Sequence, residues 1–365
     1  MASEPRAGAP APRGLGYVET FDGIRGVAVH IVLISHLNAI LPIPLILVVP
    51  GAVVPLDMFF VLSGFLITAL LLQEQRRDGG IDIPAFYQRR ALRLFPALFA
   101  VVIAHLLYAV IAGLPRDLEI SSLLSIVFYY SNWQMALAPK DFLGGPVFAE
   151  GLQHLWSLSV EEQFYLVWPL LVTLVGRRWR LRSQLGVLLA VIVAIGLHRA
   201  AQYHAGVPWS AVVVRTDTRA DAPLVGALLA FVWAARREPL RLLGPAAWLG
   251  AAALLPILAF APINGPFLYY GGFVIIDWAC GAIVLAAIDG RWPGNRLFRL
   301  RYFTRSGRIS YGLYLWHLPI YAVVRRYGSH DLVGAAIALA LTAAFAMASW
   351  RFLEQPALRW KRYRR

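Results

Sequence analysis

Arg25 and His36 are two residues near the start of the chain whose types and spacing indicate chemistry. They lie eleven positions apart in residues 21–37, a segment that is otherwise largely apolar. Eleven residues make about three turns of an α-helix, so both side chains would share one face, about 16 Å apart. Asp22 would lie within about 40° of that face. An apolar helix with a cation at its mouth and an imidazole at its centre indicates a pore in which a reaction occurs.

An imidazole inside an apolar segment is suited to general-base catalysis. It can take a proton from an attacking hydroxyl and return it to a leaving group. A nearby carboxylate would orient the ring and stabilise the imidazolium. Asp57, in the second apolar segment, lies at a depth similar to that of His36. We therefore expect Asp57 to be the partner of His36, with Glu161 and Glu162 as the alternatives.

A second group of basic residues, Arg89, Arg90 and Arg93, precedes the third apolar segment. Arg89 and Arg93 are four residues apart and would share one helical face. Several guanidiniums around one pore mouth, Arg25 included, would form a polyphosphate site, because each can hold phosphate oxygens in a bidentate manner. Simple anchoring at the membrane surface is the alternative for this cluster.

Further polar residues stand near the outer ends of later apolar segments. Adjacent carboxylates at the start of a membrane helix are costly unless they face a cavity or are paired. Helix packing and loop ion pairs are the alternatives for this set. We count Glu161 among the catalytic residues, and we expect the acceptor side of the site to contain Trp156, Glu162, Arg219, Asp221 and His317.

The composition is that of an integral membrane protein. Hydrophobic residues make up 59% of the 365 residues and charged residues 15%, whereas ordinary globular chains carry about 25% charged residues. The net charge of +14 lies in short clusters between apolar runs, which indicates membrane orientation and argues against nucleic acid as a partner. The one cysteine, Cys280, lies in an apolar run, and we expect no metal site.

Ten apolar segments predict an all-α, polytopic fold. We expect residues 121–137 to be re-entrant or interfacial, because a further span there would place the basic residues 177–182 outside. Both termini are then cytoplasmic, residues 1–20 form a disordered tail, residues 21–356 the transmembrane domain and residues 357–365 a basic tail. The predicted spans are residues 24–41, 53–73, 91–113, 156–175, 184–201, 220–235, 244–262, 267–288, 309–324 and 332–350.

The chain resembles the membrane acyltransferase-3 family, the polytopic O-acyltransferases that modify surface sugars, lipids and macrolide antibiotics. Seven elements occur in the family's order over nearly the whole chain. They are residues 21–26 with Arg25 and His36 at an Arg-x10-His spacing, residues 57–68, the Arg-x-x-Arg-x-x-Pro element that contains Arg90 and Arg93, residues 154–165, 218–226 and 311–317, and Glu354-x-Pro356.

The resemblance implies a ten-helix enzyme of the bacterial inner membrane in which cytoplasmic acyl-CoA, with acetyl-CoA as the expected donor, presents its thioester to His36. The acceptor, a hydroxyl of a carbohydrate, a glycolipid or other lipid, or a macrolide-type molecule, would be reached from the outer side. Many members of the family carry a C-terminal periplasmic domain. We expect this chain to act as a stand-alone module or with a separate partner.

Two questions stay open at this point. Direct attack of the acceptor on the thioester and an acyl-histidine intermediate both fit the residues. The alternative function is a proton-coupled secondary transporter, since intramembrane His, Asp and Glu also occur in proton pathways. A weaker alternative is a protein that only supplies acyl groups to a partner.

Overall fold

The computed structural model describes residues 14–41, 49–138, 148–176, 179–236 and 242–360. Regular structure in these ranges is helical, and no strand occurs in them. The all-α prediction is therefore confirmed. Predictions that concern residues 1–13, residues 361–365, Arg177 and Arg178 lie outside the described residues.

Seventeen α-helices follow one another in the described chain. They are α1 Glu19–Ser35, α2 Val53–Asp78, α3 Ile83–Ile111, α4 Arg116–Val127, α5 Ser131–Leu137, α6 Trp156–Gly176, α7 Leu181–His204, α8 Trp209–Val214, α9 Thr216–Arg219, α10 Asp221–Ala235, α11 Leu243–Phe260, α12 Phe273–Asp289, α13 Asn295–Phe298, α14 Arg301–Arg308, α15 Ser310–Tyr327, α16 Leu332–Ser349 and α17 Gln355–Trp360. A 3₁₀ turn, His36–Ala39, extends α1, and π-helical turns, Leu268–Gly272 and Trp350–Glu354, adjoin α12 and α16.

Seven helical segments of the described chain are long and apolar enough to cross a membrane. They contain α1, α2, α3, α7, α11, α12 and α16. The other three predicted spans correspond to α6, α10 and α15, which are shorter or more polar. For example, α10 has 15 residues, and α6 contains Glu161 and Glu162. The chain is therefore a multi-pass membrane protein.

Residues 121–137 form parts of two short helices instead of a span. The 12-residue α4 and the seven-residue α5 meet at Tyr129, whose φ is 55°. Ser122 and Ser125 face inward and are buried, whereas Leu124 and Phe128 are exposed. Two short helices that bury these serines beside Leu123 and Ile126 and expose apolar side chains on the other face have the character expected of an interfacial or re-entrant piece.

Helices α2 and α10 approach each other closely at two glycines. A Cβ atom at position 226 would lie 2.0 Å from the carbonyl oxygen of Val61, and one at position 64 would lie 2.0 Å from that of Pro223. Small residues at such contacts let helix backbones pack directly in a membrane, where van der Waals contact contributes to association. The contact fixes α2, one wall of the cavity described below, against α10.

We predict that Gly226→Ala destabilises the bundle by about 1–3 kcal/mol, because the added methyl group overpacks a backbone contact. The matched control is Gly186→Ala, since a Cβ atom there would meet no atom within 4 Å. The measurement is the thermal midpoint for loss of monodisperse protein in detergent. A Gly226→Ala midpoint equal to that of Gly186→Ala would show that the contact is not tight.

Candidate active site

A cavity of about 420 Å³ lies between α1, α2, α3, α6 and α15. At one end it is lined by Tyr17, Asp22 and Arg25, beside the N-terminus of α1, and at the other by Ser157 and Tyr314. Its longest wall is the apolar face of α2, which contributes Leu56, Phe59, Phe60, Leu66, Ile67 and Leu70. The cavity is thus a passage with charged residues at one end and hydroxyl groups at the other.

The charged end of the cavity contains three of the four arginines predicted there. Arg25 lies 3.5 Å from Asp22, and Arg93 forms no ion pair with any carboxylate of the described residues. Arg90 also lines the cavity, but its guanidinium is bonded to Glu162. Arg25 and Arg93 are therefore the cations best placed to meet an anionic ligand.

Arg89 lies away from the cavity. Its guanidinium forms a 3.0 Å ion pair with Glu74 of α2 and lines no part of the passage. Arg89 and Arg93 are four residues apart on one face of α3. The Arg89 side chain nevertheless points toward Glu74 and away from the cavity. The structure thus does not bring Arg89 together with the other three arginines, and its place in a phosphate site stays a prediction.

The two carboxylates at the start of α6 differ in their environment. Glu161 lines the cavity, and its Oε1 accepts hydrogen bonds from Ser63 Oγ at 2.5 Å and Tyr165 Oη at 2.7 Å. Glu162 is bound to Arg90 where α6 meets α3. The structure thus places Glu161 in the passage and Glu162 in a helix-to-helix ion pair, which does not match its expected place on the acceptor side.

Arg90 is held from two sides. Its Nε lies 2.9 Å from Glu162 Oε2, and its Cζ lies 3.1 Å from the centre of the Tyr165 ring. A guanidinium over an aromatic face gains cation–π attraction in addition to its ion pair. Arg90 thereby holds the ring of Tyr165 in place, and the Tyr165 hydroxyl donates a hydrogen bond to Glu161.

His36 lies at the C-terminal end of α1 and begins the 3₁₀ turn, instead of occupying the middle of a helix as the sequence predicted. Its Nδ1 is 3.1 Å from Nε2 of His317. Nδ1 of His317 lies 2.6 Å from the carbonyl oxygen of Tyr314, and Nε2 of His154 lies 2.8 Å from the same oxygen. Two histidines therefore meet at one backbone carbonyl, and His36 joins them through His317.

Tyr314 connects the cavity to the histidines. Its hydroxyl lies 2.5 Å from Ser157 Oγ at the end of the cavity and donates to the carbonyl of His154, 2.7 Å away. His317 follows three residues later on the same helix, just beyond the residues that line the cavity. The passage therefore leads from the arginines to the edge of the histidine cluster.

The expected pairing of Asp57 with His36 does not occur. Asp57 is fully buried and forms an ion pair with Arg219, whereas the ring partner of His36 is His317. The expected similar depth of the two residues does not decide the pairing, because a guanidinium satisfies a buried carboxylate better than a neutral imidazole does. The prediction that Asp57 orients His36 was therefore wrong.

Asp57 belongs to a buried ionic cluster that we define as Asp57, Arg199, Arg219, Asp221 and Asp277. Each of these side chains is at most 1% exposed. Arg199 Nη1 donates to Asp221 Oδ2 at 2.6 Å. Several polar atoms of the cluster, among them Asp277 Oδ1, have no hydrogen-bond partner in the described chain. Arg219 and Asp221 are consequently interior residues, and they do not line the cavity as acceptor contacts.

Trp156 is another residue that the structure moves away from the cavity. It begins α6, is 8% exposed and packs in the main hydrophobic core.

The candidate-site residues that the sequence analysis missed are Tyr314, Ser157 and His154. A signal for the first was available, because Tyr311, Tyr314 and His317 recur every three residues and would lie along one helical face.

Comparisons with known proteins agree with these motifs. A family model described as "Acyltransferase domain" (Acyl_transf_3) matches residues 18–351. The chain is 33% identical over 356 residues to O-acetyltransferase OatA of Staphylococcus aureus (strain NCTC 8325 / PS 47), covering 93% of this chain and 57% of that protein.

A second relative is Peptidoglycan O-acetyltransferase OatA of Listeria monocytogenes serovar 1/2a. It is 33% identical over 359 residues, which cover 93% of this chain and 56% of that protein. The chain thus spans little more than half the length of these curated relatives. No solved structure matches it. Since the family model covers most of the chain, the protein belongs to the acyltransferase-3 family.

Proposed function

We propose that the protein is an O-acyltransferase of the cytoplasmic membrane that moves an acetyl or other short acyl group from acyl-CoA to an acceptor hydroxyl. The observation that carries the proposal is the passage from Arg25 and Arg93 to Tyr314, next to the His36–His317 pair. The name of the Listeria relative, a peptidoglycan O-acetyltransferase, makes peptidoglycan sugar the first acceptor to test. Other carbohydrates, lipids and macrolide-type molecules are the remaining candidates.

The arginine end of the cavity is suited to the phosphates of the donor. Guanidiniums bind phosphate oxygens through two parallel hydrogen bonds, and Arg93 forms no ion pair with a carboxylate of the described chain, although Glu162 and Glu354 lie near enough to interact with its charge. The apolar face of α2 then offers a surface for the uncharged arm that carries the thioester. On the predicted topology this end of α1 faces the cytoplasm, where acyl-CoA is found.

In the proposed reaction His36 is the general base. The acceptor oxygen gives its proton to the imidazole and forms a bond to the thioester carbonyl carbon. The carbon–sulfur bond then breaks, and the proton passes from His36 to the leaving thiolate. The imidazole could instead attack the carbonyl first and carry the acyl group to the acceptor. Glu161, held by Ser63 and Tyr165, would fix the shape of the passage beside the donor.

We predict that His36→Ala lowers acyl transfer by about 10²- to 10⁴-fold, the usual contribution of a general base, with donor binding unchanged. His30→Ala is the matched control, because His30 lies on the same helix and bonds Gly26 and Tyr302 outside the cavity. The measurement uses purified protein in liposomes, ¹⁴C-acetyl-CoA and soluble glycan fragments of peptidoglycan. Equal transfer by both variants would contradict the role of His36.

We predict that Arg93→Gln raises KM for acetyl-CoA by about tenfold or more, because a charge-assisted hydrogen bond contributes about 1.5–3 kcal/mol. KM for acetyl-pantetheine, which lacks the nucleotide phosphates, should not change. Arg77→Gln is the control, since Arg77 is exposed at the end of α2 and pairs with Asp78. An equal effect on both donors would place the phosphates elsewhere.

The transporter alternative predicts a different result in the same liposome assay. It requires that a solute accumulates in them when no acyl donor is supplied. Accumulation without a donor, together with no label transfer by the wild-type protein, would overturn the proposed function.

A further inference from the structure

We propose that His317 is the positioning residue of His36, and that it fixes which nitrogen of His36 is free to react. The proposal rests on the proposed function, in which His36 reacts, and it gives His317 a role at the base itself instead of at the acceptor. It follows from which atoms donate and which accept in the hydrogen bonds that lead from the carbonyl of Tyr314 through His317 to His36. Three steps lead from that carbonyl to His36.

The first step fixes the protonation of His317. Its Nδ1 lies 2.6 Å from the carbonyl oxygen of Tyr314. A carbonyl oxygen only accepts hydrogen bonds, so Nδ1 of His317 must carry a proton. In a neutral imidazole the other nitrogen is then without a proton, and Nε2 of His317 is an acceptor.

The second step passes this assignment to His36. Nε2 of His317 lies 3.1 Å from Nδ1 of His36. Because the first is an acceptor, the second must donate. The reverse arrangement would need a doubly protonated, cationic His317, which is fully buried and has no carboxylate of the described chain in ion-pair contact. His36 is therefore protonated on Nδ1.

The third step identifies the reactive atom. With Nδ1 protonated, the lone pair of neutral His36 is on Nε2. That nitrogen can take the acceptor's proton while the oxygen–carbon bond forms, and it can return the proton as the carbon–sulfur bond breaks. The positive charge that His36 carries between these events is stabilised through Nδ1–H by the neutral ring of His317. His317 thus fills the part of an orienting group that a carboxylate fills in other bases.

A proline in α15 leaves one backbone carbonyl free for His154. Pro319 has no N–H, so the carbonyl of Leu315, four residues earlier, lacks its usual helical donor. That carbonyl is consequently available to a side chain. His154 interacts with the carbonyls of both Tyr314 and Leu315, and it fills the space on the far side of His317.

One competing acceptor lies near the imidazole of His36. The backbone carbonyl of Val32, one turn earlier on α1, also interacts with the ring. A bond from Nδ1 to that carbonyl would favour the same tautomer without His317. The test must therefore separate the contribution of His317 from that of α1 itself.

The experiment compares His317→Phe, which keeps an aromatic ring but has no acceptor, with His317→Gln, whose amide oxygen can accept from His36. We expect His317→Phe to lower kcat by about 10²-fold and His317→Gln to stay within about tenfold of wild type, both with KM for the donor within about twofold. Tyr321→Phe is the control for a lost buried hydrogen bond, because the Tyr321 hydroxyl donates to the carbonyl of Leu33, and the aromatic ring that contacts His317 is kept in this variant.

The second readout is the tautomer of His36 itself. The protein has eight histidines, so the ¹⁵N resonances of His36 in histidine-labelled protein are assigned by their absence from His36→Asn. The Nδ1-protonated pattern should be present in wild type, His317→Gln and Tyr321→Phe, and should be lost in His317→Phe.

Three outcomes would overturn the role of His317. The first is a kcat of His317→Phe within about threefold of wild type. The second is a persistent Nδ1-protonated signal in that variant, which would assign the tautomer to Val32. The third is an equal loss in the Phe and Gln variants, which would indicate packing only. If wild-type protein transfers no acyl group, the proposed function fails instead, and the tautomer measurement still tests the hydrogen-bond order.

Discussion

Two buried guanidinium–carboxylate pairs constrain the whole bundle. Arg219 of α9 pairs with Asp57 of α2, and Arg199 of α7 pairs with Asp221 of α10, all four side chains being at most 1% exposed. Removing one partner of such a pair leaves an uncompensated buried charge and costs about 3–5 kcal/mol. Because α2 carries Asp57 near one end and the apolar wall of the cavity along the rest, the shape of the cavity depends on these ion pairs.

The fold was largely predictable because hydropathy determines which segments can cross a bilayer. All ten predicted spans correspond to helices, and residues 121–137 do not form a span. The ends of helices were less predictable. A hydropathy window contains no information about the change from α to 3₁₀ geometry at His36, which depends on contacts with α15.

The site was predictable where one helix sets the geometry and unpredictable where several helices meet. Arg25 and Arg93 line the cavity as expected from their motifs. The partner of Asp57 could not be found from depth alone, since the direction in which a side chain points depends on how its helix is rotated. Arg219, 162 residues further along the chain, occupies that direction. His317 was recognised as a site residue, but its partner was not.

The end of the cavity at Tyr314 has a consequence for the membrane as a barrier. Beyond it the described side chains are tightly packed, with His317, His154 and Tyr321 in ring-to-ring contact. Under the proposed function only a small acyl group would pass this layer, while the large polyanionic carrier stays on its own side. Such an enzyme could modify molecules outside the cell with a metabolite made inside it, without opening a water-filled leak that would discharge the proton gradient.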